Sequence, residues 1–209
     1  MLVVHHLGIS QSDRIVWLCE ELAIPYELKR YERDPATRLA PADYRALTPF
    51  GTAPVISDGD LVLGESAAIV EYIAQTYGDG RLFIRPGAPA YTDFLFWFHF
   101  ANGSLMPAAM VDMIANRAGS GVMAGLRVRL DRAYDQLEER LGKVPFLAGD
   151  VFTAADIMTL FPLTTMRHFG PRDMEPYPHI RAYLQRIAAR PAFQRAMQKA
   201  DPDTALLLT

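Results

Sequence analysis

The hydrophobic periodicity of the chain changes at one short segment, and this change limits the folds that the chain can adopt. Before residue 78, apolar runs with strand spacing alternate with runs of helical spacing, but after residue 89 only helical spacing recurs. The segment GDGRLFIRPGAP (78–89) holds three glycines and two prolines, the composition of a linker. We therefore expect an α/β domain over 1–78, a linker over 79–89 and an all-α domain over 90–209.

The first 78 residues predict the element order β-α-β-α-β-β-α. LVVHH (2–6) and YELKRYE (26–32) are typical of short strands, and the apolar residues between Ile15 and Leu22 share one helical face. DGD (58–60) separates two further apolar runs, which is a hairpin signal, and Gly78 closes the helix that follows. One parallel crossover followed by a hairpin is the arrangement of a thioredoxin-like domain.

Helical patterns fill the second half at about 90–117, 121–142, 154–168 and 178–199. The stretch from Phe94 to Val111 carries no formal charge and is long enough to raise the question of a membrane span. Because histidine, asparagine, serine and proline lie within it, we interpret the stretch as a buried, bent helix.

Composition and charge exclude several classes of protein. The 209 residues have a net charge of −3, and the scattered lysines and arginines argue against a nucleic-acid-binding surface. Cys19 is the only cysteine, so neither an intrachain disulfide nor a CxxC redox or zinc motif can form. The start MLVVHHLG lacks the features of a signal peptide. We expect a cytoplasmic protein that binds no nucleic acid, no membrane and no metal.

Five motifs in a fixed order carry a family resemblance. They are GISQS (8–12), TPFGTAPVI (48–56), GES (64–66), FLAGDVFTAADI (146–157) and RIAARPAFQRA (186–196). In this order they resemble the glutathione transferase superfamily, over essentially the whole chain. HHLGISQSDRIVWLCEEL (5–22) looks most like a bacterial and fungal branch that uses a serine in its first motif.

The resemblance implies a function as well as a fold. It implies an enzyme of detoxification that conjugates the glutathione thiolate to hydrophobic electrophilic small molecules, with glutathione as co-substrate and no metal. Two other functions remain open: glutathione-dependent reduction of disulfides or peroxides, and glutathione binding by a non-catalytic interaction protein. Phe50 matches the position of an aromatic residue that enters the partner subunit in several branches, which implies a homodimer.

The resemblance also implies a set of glutathione-binding residues. Ala53–Pro54 matches a cis peptide, and X–Pro is the only bond for which the cis form is cheap, at about 0.5–1 kcal/mol. The Ala53 backbone is expected to pair with the cysteinyl residue, and Glu65 with Ser66 to hold the γ-glutamyl end. Thr52 stands where many relatives carry lysine. The group that binds the glycyl carboxylate therefore stays open among Arg33, Arg38 and Arg45.

Two serines at the start of the first helix are candidates for the residue that binds the thiolate. We interpret Ser10 as the residue that donates a hydrogen bond to the thiolate, helped by the positive end of the helix, and Ser12 as a helix cap. The register of this motif leaves the choice between Ser10 and Ser12 open. If neither serine acts, the helix amides or a residue such as His6 or Asn102 must hold the thiolate.

The all-α domain is expected to contribute the electrophile site. Met106 and Met110 belong to a group of methionines and phenylalanines that suits a soft, adaptable site, although such groups are more often core. Asn102, in ANGSLMP (101–107), is the polar residue of this domain that we assign to glutathione binding.

Overall fold

The burial of β1 (Leu2–Leu7) on both faces places this strand inside a sheet. It pairs in parallel with β2 (Glu27–Tyr31) and antiparallel with β3 (Val55–Asp58), which forms a hairpin with β4 (Leu61–Gly64). The order β2-β1-β3-β4 confirms the predicted thioredoxin-like arrangement. The structure is a computed structural model, and it describes residues 1–118 and 124–209.

The chain forms two compact units. The first consists of Met1–Arg81 and Arg190–Ala205, and the second of Leu82–Ala189 and Leu206–Thr209. The element order up to Tyr77 is the predicted one, whereas the start of the helix predicted over 121–142 lies outside the described residues. In chain order, the α-helices of the described residues are α1 (Asp13–Leu22), α2 (Ala42–Arg45), α3 (Ser66–Tyr77), α4 (Tyr91–Phe100), α5 (Met106–Ala118), α6 (Ala124–Leu141), α7 (Ala154–Leu163), α8 (Pro178–Ala188) and α9 (Pro191–Ala200).

Helix α1 is covered by several elements of the first unit. It contacts β1, α3 and α9, and Ile15, Val16 and Leu18 are fully buried. Three charged side chains of the helix, Asp13, Arg14 and Glu20, are buried with them. Polar groups in such a helix must find partners inside the protein, because burying them unpaired costs free energy.

Helix α9 packs in the first unit, although it follows the helical half of the sequence. Its buried face includes Phe193, whose ring meets Trp17 of α1 edge-on with 5.2 Å between centroids. The pattern predicted over 178–199 divides into α8 and α9 because Pro191 lacks an N–H and begins a new helix. The domain boundaries expected from the sequence stay a prediction, and the packing of Arg190–Ala205 differs from them.

Ion pairs fix α9 to α1. Arg190 donates to both carboxylate oxygens of Glu21 at 2.7 Å. Glu20 accepts hydrogen bonds from Arg195 at 3.0 Å and from Lys199 at 2.5 Å. Burial raises the pKa of Glu20, but these cations and the Tyr26 hydroxyl outweigh it and hold the pKa below its usual range. Glu20 is therefore a carboxylate at neutral pH.

The second unit is built around the packing of α4 against α7. Phe94, Trp97 and Phe98 of α4 are buried, as expected for a core helix, and a π-helical turn, Ala101–Leu105, joins α4 to α5. By length and composition, one helical stretch of the described residues, Tyr91–Ile114, would be able to cross a membrane. Its mean hydropathy is 1.2, and 39% of the apolar window is buried inside the fold.

A buried capping box begins α7. The sequence spacing of Thr153 and Asp156 predicts this motif, and the structure confirms it. Asp156 accepts the Thr153 amide at 2.8 Å, the Leu147 amide at 3.0 Å and the Tyr183 hydroxyl at 3.1 Å. Complete burial raises the pKa of the Asp156 carboxyl to about 6, although the hydrogen bonds act in the opposite direction.

We predict that Asp156→Asn changes the pH dependence of stability. The ordinary pKa of the carboxyl is 3.8, so between pH 3.8 and about 6 the folded protein keeps a proton that the unfolded chain releases. The contribution of Asp156 to the free energy of unfolding should therefore fall as pH rises through this window, by at most about 1.4 kcal/mol per pH unit. Above the window it should be constant.

Urea unfolding of wild type and Asp156→Asn between pH 4 and pH 8 measures this contribution as the difference between the two proteins. Asp150→Asn, which removes an exposed carboxylate from the preceding loop, controls for the loss of charge. A difference that stays constant or grows between pH 4 and pH 6 would contradict the prediction.

Candidate functional site

The register of the sheet brings three sequence motifs to one edge. His5 of β1 pairs with Val55 of β3, and Val55 pairs with Gly64 of β4. Beyond these pairs, the chain leaves β1 into GISQS, enters β3 from TPFGTAPVI and leaves β4 into GES. We call this end of the sheet the site edge. Motifs that are far apart in sequence are thus neighbours there.

The second and third motifs carry unusual backbone geometry at the site edge. The bond between Ala53 and Pro54 is cis, as predicted. Glu65 is exposed and has a φ of 66°, a region that residues with side chains rarely occupy, so its backbone is strained. Thr52, by contrast, is an exposed residue outside the strand.

Charged residues hold the turn between β1 and α1. Ile9 has a φ of 51°, which is strained for a β-branched residue, and its amide donates to Asp201 Oδ1 at 3.1 Å. Arg33 Nε donates to the carbonyl of Gly8 at 2.9 Å. Arg33, one of the three arginines considered for the glycyl carboxylate, is therefore engaged in holding this turn.

Ser10 and Ser12 are both buried and are joined by their hydroxyls. Their Oγ atoms lie 2.7 Å apart, and Ser10 Oγ also donates to the Leu7 carbonyl at 2.6 Å. Ser12 occupies the position before α1, but its hydroxyl makes no capping bond. Instead it lies 2.8 Å from His6 Nδ1 and accepts the Leu7 amide at 3.1 Å. The interpretation of Ser12 as a simple helix cap is therefore wrong, because its hydroxyl turns toward β1.

His6 connects this serine pair to a carboxylate. His6 is fully buried, and its Nε2 lies 3.2 Å from Asp201 Oδ2. This distance is that of an ion pair, but an N–H on Nε2 would not point straight enough at the carboxylate for a hydrogen bond. Burial raises the pKa of Asp201, but the contacts with His6 and the Ile9 amide outweigh it, so the pKa lies below its usual range. The adjacent His5 is separate from this network and bonds Tyr31 and Ser57 at 3.0 Å each.

Arg14 links the start of α1 to the start of α3. Its Nη1 donates to Gln11 Oε1 at 3.0 Å and to Ser66 Oγ at 3.1 Å. Complete burial lowers the pKa of Arg14 to about 10, so the guanidinium stays positive at neutral pH. The sequence analysis missed this residue, although a cationic side chain on the apolar face of a predicted helix is a signal for a buried partner.

The sequence analysis also missed the pairing of His6 with Asp201. Asp201 follows the last helix, and no spacing rule connects it to a residue of the first strand. One feature of the sequence singles it out: Asp201 is an acidic residue at the C-terminus of α9, where the helix dipole favours cations.

The candidate residues of the second unit have different environments. Met106 is buried in a cluster with Phe161 and Met166, whereas Met110 is 45% exposed. Asn102 is half-buried in the π-helical turn. Met106 and Met110 therefore do not share one environment.

Two features of the chain bear on metal and cysteine chemistry. Within 1–118 and 124–209 there is no group of three or more His, Cys, Asp or Glu side chains that could hold a metal ion. Cys19 is fully buried in α1, and burial raises the pKa of its thiol far above the usual range. Its thiol is therefore unsuited to act as a nucleophile.

The chain is similar to known proteins along nearly its whole length. The family profile described as "Glutathione S-transferase, N-terminal domain" matches residues 10–76, and "Glutathione S-transferase, C-terminal domain" matches 120–186. Glutathione S-transferase 3 of Schizosaccharomyces pombe is 31% identical over 100% of this chain and 92% of its own length. Glutathione S-transferase 3 of Zea mays is 30% identical over 88% of this chain and 87% of its own.

Solved structures agree with these relatives. The crystal structure of a glutathione S-transferase from Actinobacillus pleuropneumoniae superposes with a TM-score of 0.88 and is 31% identical, covering 98% of this chain and 97% of that one. BphK, a bacterial protein of the same fold, superposes with a TM-score of 0.77 at 22% identity, covering 95% and 98%.

Proposed function

The chain belongs to the glutathione S-transferase superfamily and is a glutathione transferase, and we propose that it conjugates the glutathione thiolate to hydrophobic electrophilic small molecules. The observation that carries this proposal is the link made by Arg14 between the starts of α1 and α3. Two helix N-termini and a buried cation meet at the site edge. Such a place favours a ligand with two negative groups, and the glutathione thiolate and γ-glutamyl carboxylate are two such groups.

We propose that the γ-glutamyl end binds at the start of α3. The Ser66 hydroxyl and the first amides of the helix donate to its carboxylate, and the exposed Glu65 receives its ammonium. The backbone of Ala53 pairs with the cysteinyl residue, and Thr52 lies beside it. Arg38 is our choice for the glycyl carboxylate, because Arg33 and Arg45 donate to backbone carbonyls.

The thiolate binds at the start of α1 in this proposal. Ser10 donates its hydroxyl proton to the sulfur, and the helix N-terminus adds favourable partial charge. A free thiol has a pKa of about 8.5, and lowering it by about 2 corresponds to roughly 2.7 kcal/mol. The bound thiol is then largely anionic at neutral pH and therefore nucleophilic.

The electrophile class is proposed from the apolar residues of the second unit. Met106, with Phe161 and Met166, offers a polarisable surface, Met110 extends it toward solvent, and Asn102 is assigned to glutathione. With this substrate class we propose a role in detoxification, in the cytoplasm as expected from the sequence. Reduction of disulfides or peroxides would have to use two glutathiones, because Cys19 is buried.

The first experiment on this proposal is Ser10→Ala. Since Ser10 touches the sulfur and not the rest of the ligand, we expect nearly unchanged glutathione affinity and much slower conjugation. The pKa of the bound thiol, followed by the ultraviolet absorbance of the thiolate, should rise by about 1 to 2 on loss of one hydrogen bond to an anion. Ser57→Ala is the control, because that hydroxyl bonds His5 away from the serine pair. Unchanged thiol pKa and turnover in Ser10→Ala would overturn the assignment.

The second experiment concerns the γ-glutamyl end. Ser66→Ala removes a hydrogen bond to a charged group, worth about 1.5–3 kcal/mol, so calorimetry should give an affinity lower by about tenfold or more. Arg14→Met removes the donor that orients Ser66 and should weaken binding in the same direction. Unfolding curves of each variant and the Ser57→Ala control separate binding from folding. If both variants bind glutathione like wild type, this end of the ligand lies elsewhere.

We further propose a homodimer in which Phe50 of one copy enters the second unit of the other. Phe50 is 82% exposed, which is unusual for a phenylalanine. A cavity of about 360 Å³ opens beside α5 and α6, lined by apolar residues that include Phe100, Pro107 and Val111 and by polar ones that include Arg129 and Arg132. An exposed aromatic ring and a partly apolar cavity on the same chain are the two halves of a self-complementary contact.

Phe50→Ala should therefore weaken association. Losing a buried aromatic ring costs about 3–5 kcal/mol on the scale of core residues, so each copy of the contact should lose most of its strength. Light scattering over a range of protein concentrations measures the shift to monomer. Leu39→Ala, which truncates another exposed apolar side chain, is the matched control. A wild-type protein that is monomeric at micromolar concentration would refute the proposal.

A further inference from the structure

We propose that His6, paired with Asp201, is the base that receives the thiol proton of glutathione through the hydroxyls of Ser12 and Ser10. This inference rests on the proposed function, because it concerns the thiol that Ser10 is proposed to contact. Hydrogen-bonding the thiolate explains why the anion is stable once formed, but not which group takes the proton. The four side chains form a continuous path from Ser10 to the partly exposed carboxylate of Asp201.

The distances along the path suit proton transfer. Ser10 Oγ lies 2.7 Å from Ser12 Oγ, and Ser12 Oγ lies 2.8 Å from His6 Nδ1. His6 Nε2 lies 3.2 Å from Asp201 Oδ2. The two links from Ser10 to His6 are hydrogen bonds, and the link from His6 to Asp201 is an ion-pair distance with a bent N–H direction. His6 and Ser12 are fully buried, which keeps bulk water away from the middle of the path.

The carboxylate at one end of the path decides which group donates in each hydrogen bond. Asp201 is ionised at neutral pH and can only accept, so His6 carries its proton on Nε2 and offers a lone pair on Nδ1. The Ser12 hydroxyl then donates to His6, and its oxygen is free to accept from Ser10. Backbone amides fix both oxygens, since the Leu7 amide donates to Ser12 Oγ at 3.1 Å and the Ser12 amide to Ser10 Oγ at 3.3 Å.

The Ser10 hydroxyl has a second acceptor at rest, the Leu7 carbonyl at 2.6 Å. Turning this hydroxyl from Leu7 to Ser12 is a rotation about one bond, because both acceptors lie within hydrogen-bond distance of the same oxygen. In the turned state, the Ser10 oxygen presents a lone pair to the thiol of the ligand.

The transfer conserves atoms and charge. The S–H bond of glutathione breaks and its proton passes to Ser10 Oγ, while Ser10 gives its own proton to Ser12 and Ser12 gives its own to His6 Nδ1. The products are a thiolate, two neutral hydroxyls and an imidazolium paired with the Asp201 carboxylate. Ser10 then donates to the thiolate, which is the arrangement that the proposed function requires.

The charges around the pair keep the Asp201 carboxylate ionised, so that it can form an ion pair with the imidazolium. Arg30, which pairs with His6 in the register of β1 and β2, acts on Asp201 and helps to keep it ionised. Arg33, which holds the carbonyls of Gly8 and Ile9, acts on Asp201 with the same sign. Because Asp201 also accepts the Ile9 amide, the carboxylate is held in place before any ligand arrives.

The inference predicts where the proton goes when glutathione binds. In wild type, thiolate formation should release almost no proton to the solvent, because His6 keeps it. In His6→Asn the amide oxygen still accepts from Ser12 but cannot take a proton, so about one proton should be released for each thiolate formed. Loss of a general base lowers kcat/KM by about 100-fold or more.

The experiment mixes the full-length protein with glutathione in weak buffer at neutral pH. A pH-indicator dye counts released protons, and ultraviolet absorbance counts thiolates in the same sample. Asp201→Asn should release protons as His6→Asn does, since the imidazolium loses its counter-ion. His5→Asn is the matched control, a buried histidine of the same strand that bonds Tyr31 and Ser57 instead, and it should behave like wild type.

Each outcome decides between the two proposals. One proton released per thiolate in wild type, or none in His6→Asn, overturns the path while leaving the proposed function intact. No thiolate in wild type overturns the proposed function, and the path with it. If circular dichroism shows that His6→Asn does not fold, Ser12→Ala interrupts the path without removing a ring and should also release about one proton per thiolate.

Discussion

The enclosure of α1 is the constraint on which the rest of the first unit depends. The helix contacts β1, α3 and α9, so its buried polar groups cannot form hydrogen bonds with bulk water. Arg14 instead forms a hydrogen bond with Ser66, and Glu20 forms hydrogen bonds with Arg195 and Lys199. The hydroxyl of Ser12, just before the helix, forms one with His6. These partners lie on three different elements, α3, α9 and β1. The requirement to pair buried polar groups therefore ties the sheet, α3 and α9 to a single helix.

The same requirement brings charged side chains to the site edge. The pairing of α9 with Glu20 and Glu21 brings the end of that helix to the turn after β1, and Asp201 reaches both Ile9 and His6 as a consequence. The fully buried Arg14 and the partly exposed carboxylate of Asp201 thus flank the two serines. Strained backbone at Ile9 and Glu65 persists there because surrounding hydrogen bonds and packing determine it.

Membership of the glutathione S-transferase superfamily explains the fold and the activity, but it does not identify the residues that form the site. The family accounts for the thioredoxin-like sheet, the helical unit and the activity, whereas the serine-using branch stays a prediction. The site residues stay a proposal that rests on geometry. Its strongest support is that GISQS, TPFGTAPVI and GES, identified by pattern alone, end at one edge through the pairing of Val55 with His5 and Gly64.

The sequence by itself determined the element order of the first unit and the capping box of Asp156. These two features depend on local periodicity and on one short spacing. The cis bond before Pro54 was expected from the family resemblance, and the structure has it. Only the tertiary structure decided that α9 covers α1, that Ser12 turns away from capping and that His6 meets Asp201. Periodicity identifies which face of a helix is apolar, but not which surface covers it. The partner of a buried polar group is decided by that covering surface, and it often lies on a distant part of the chain.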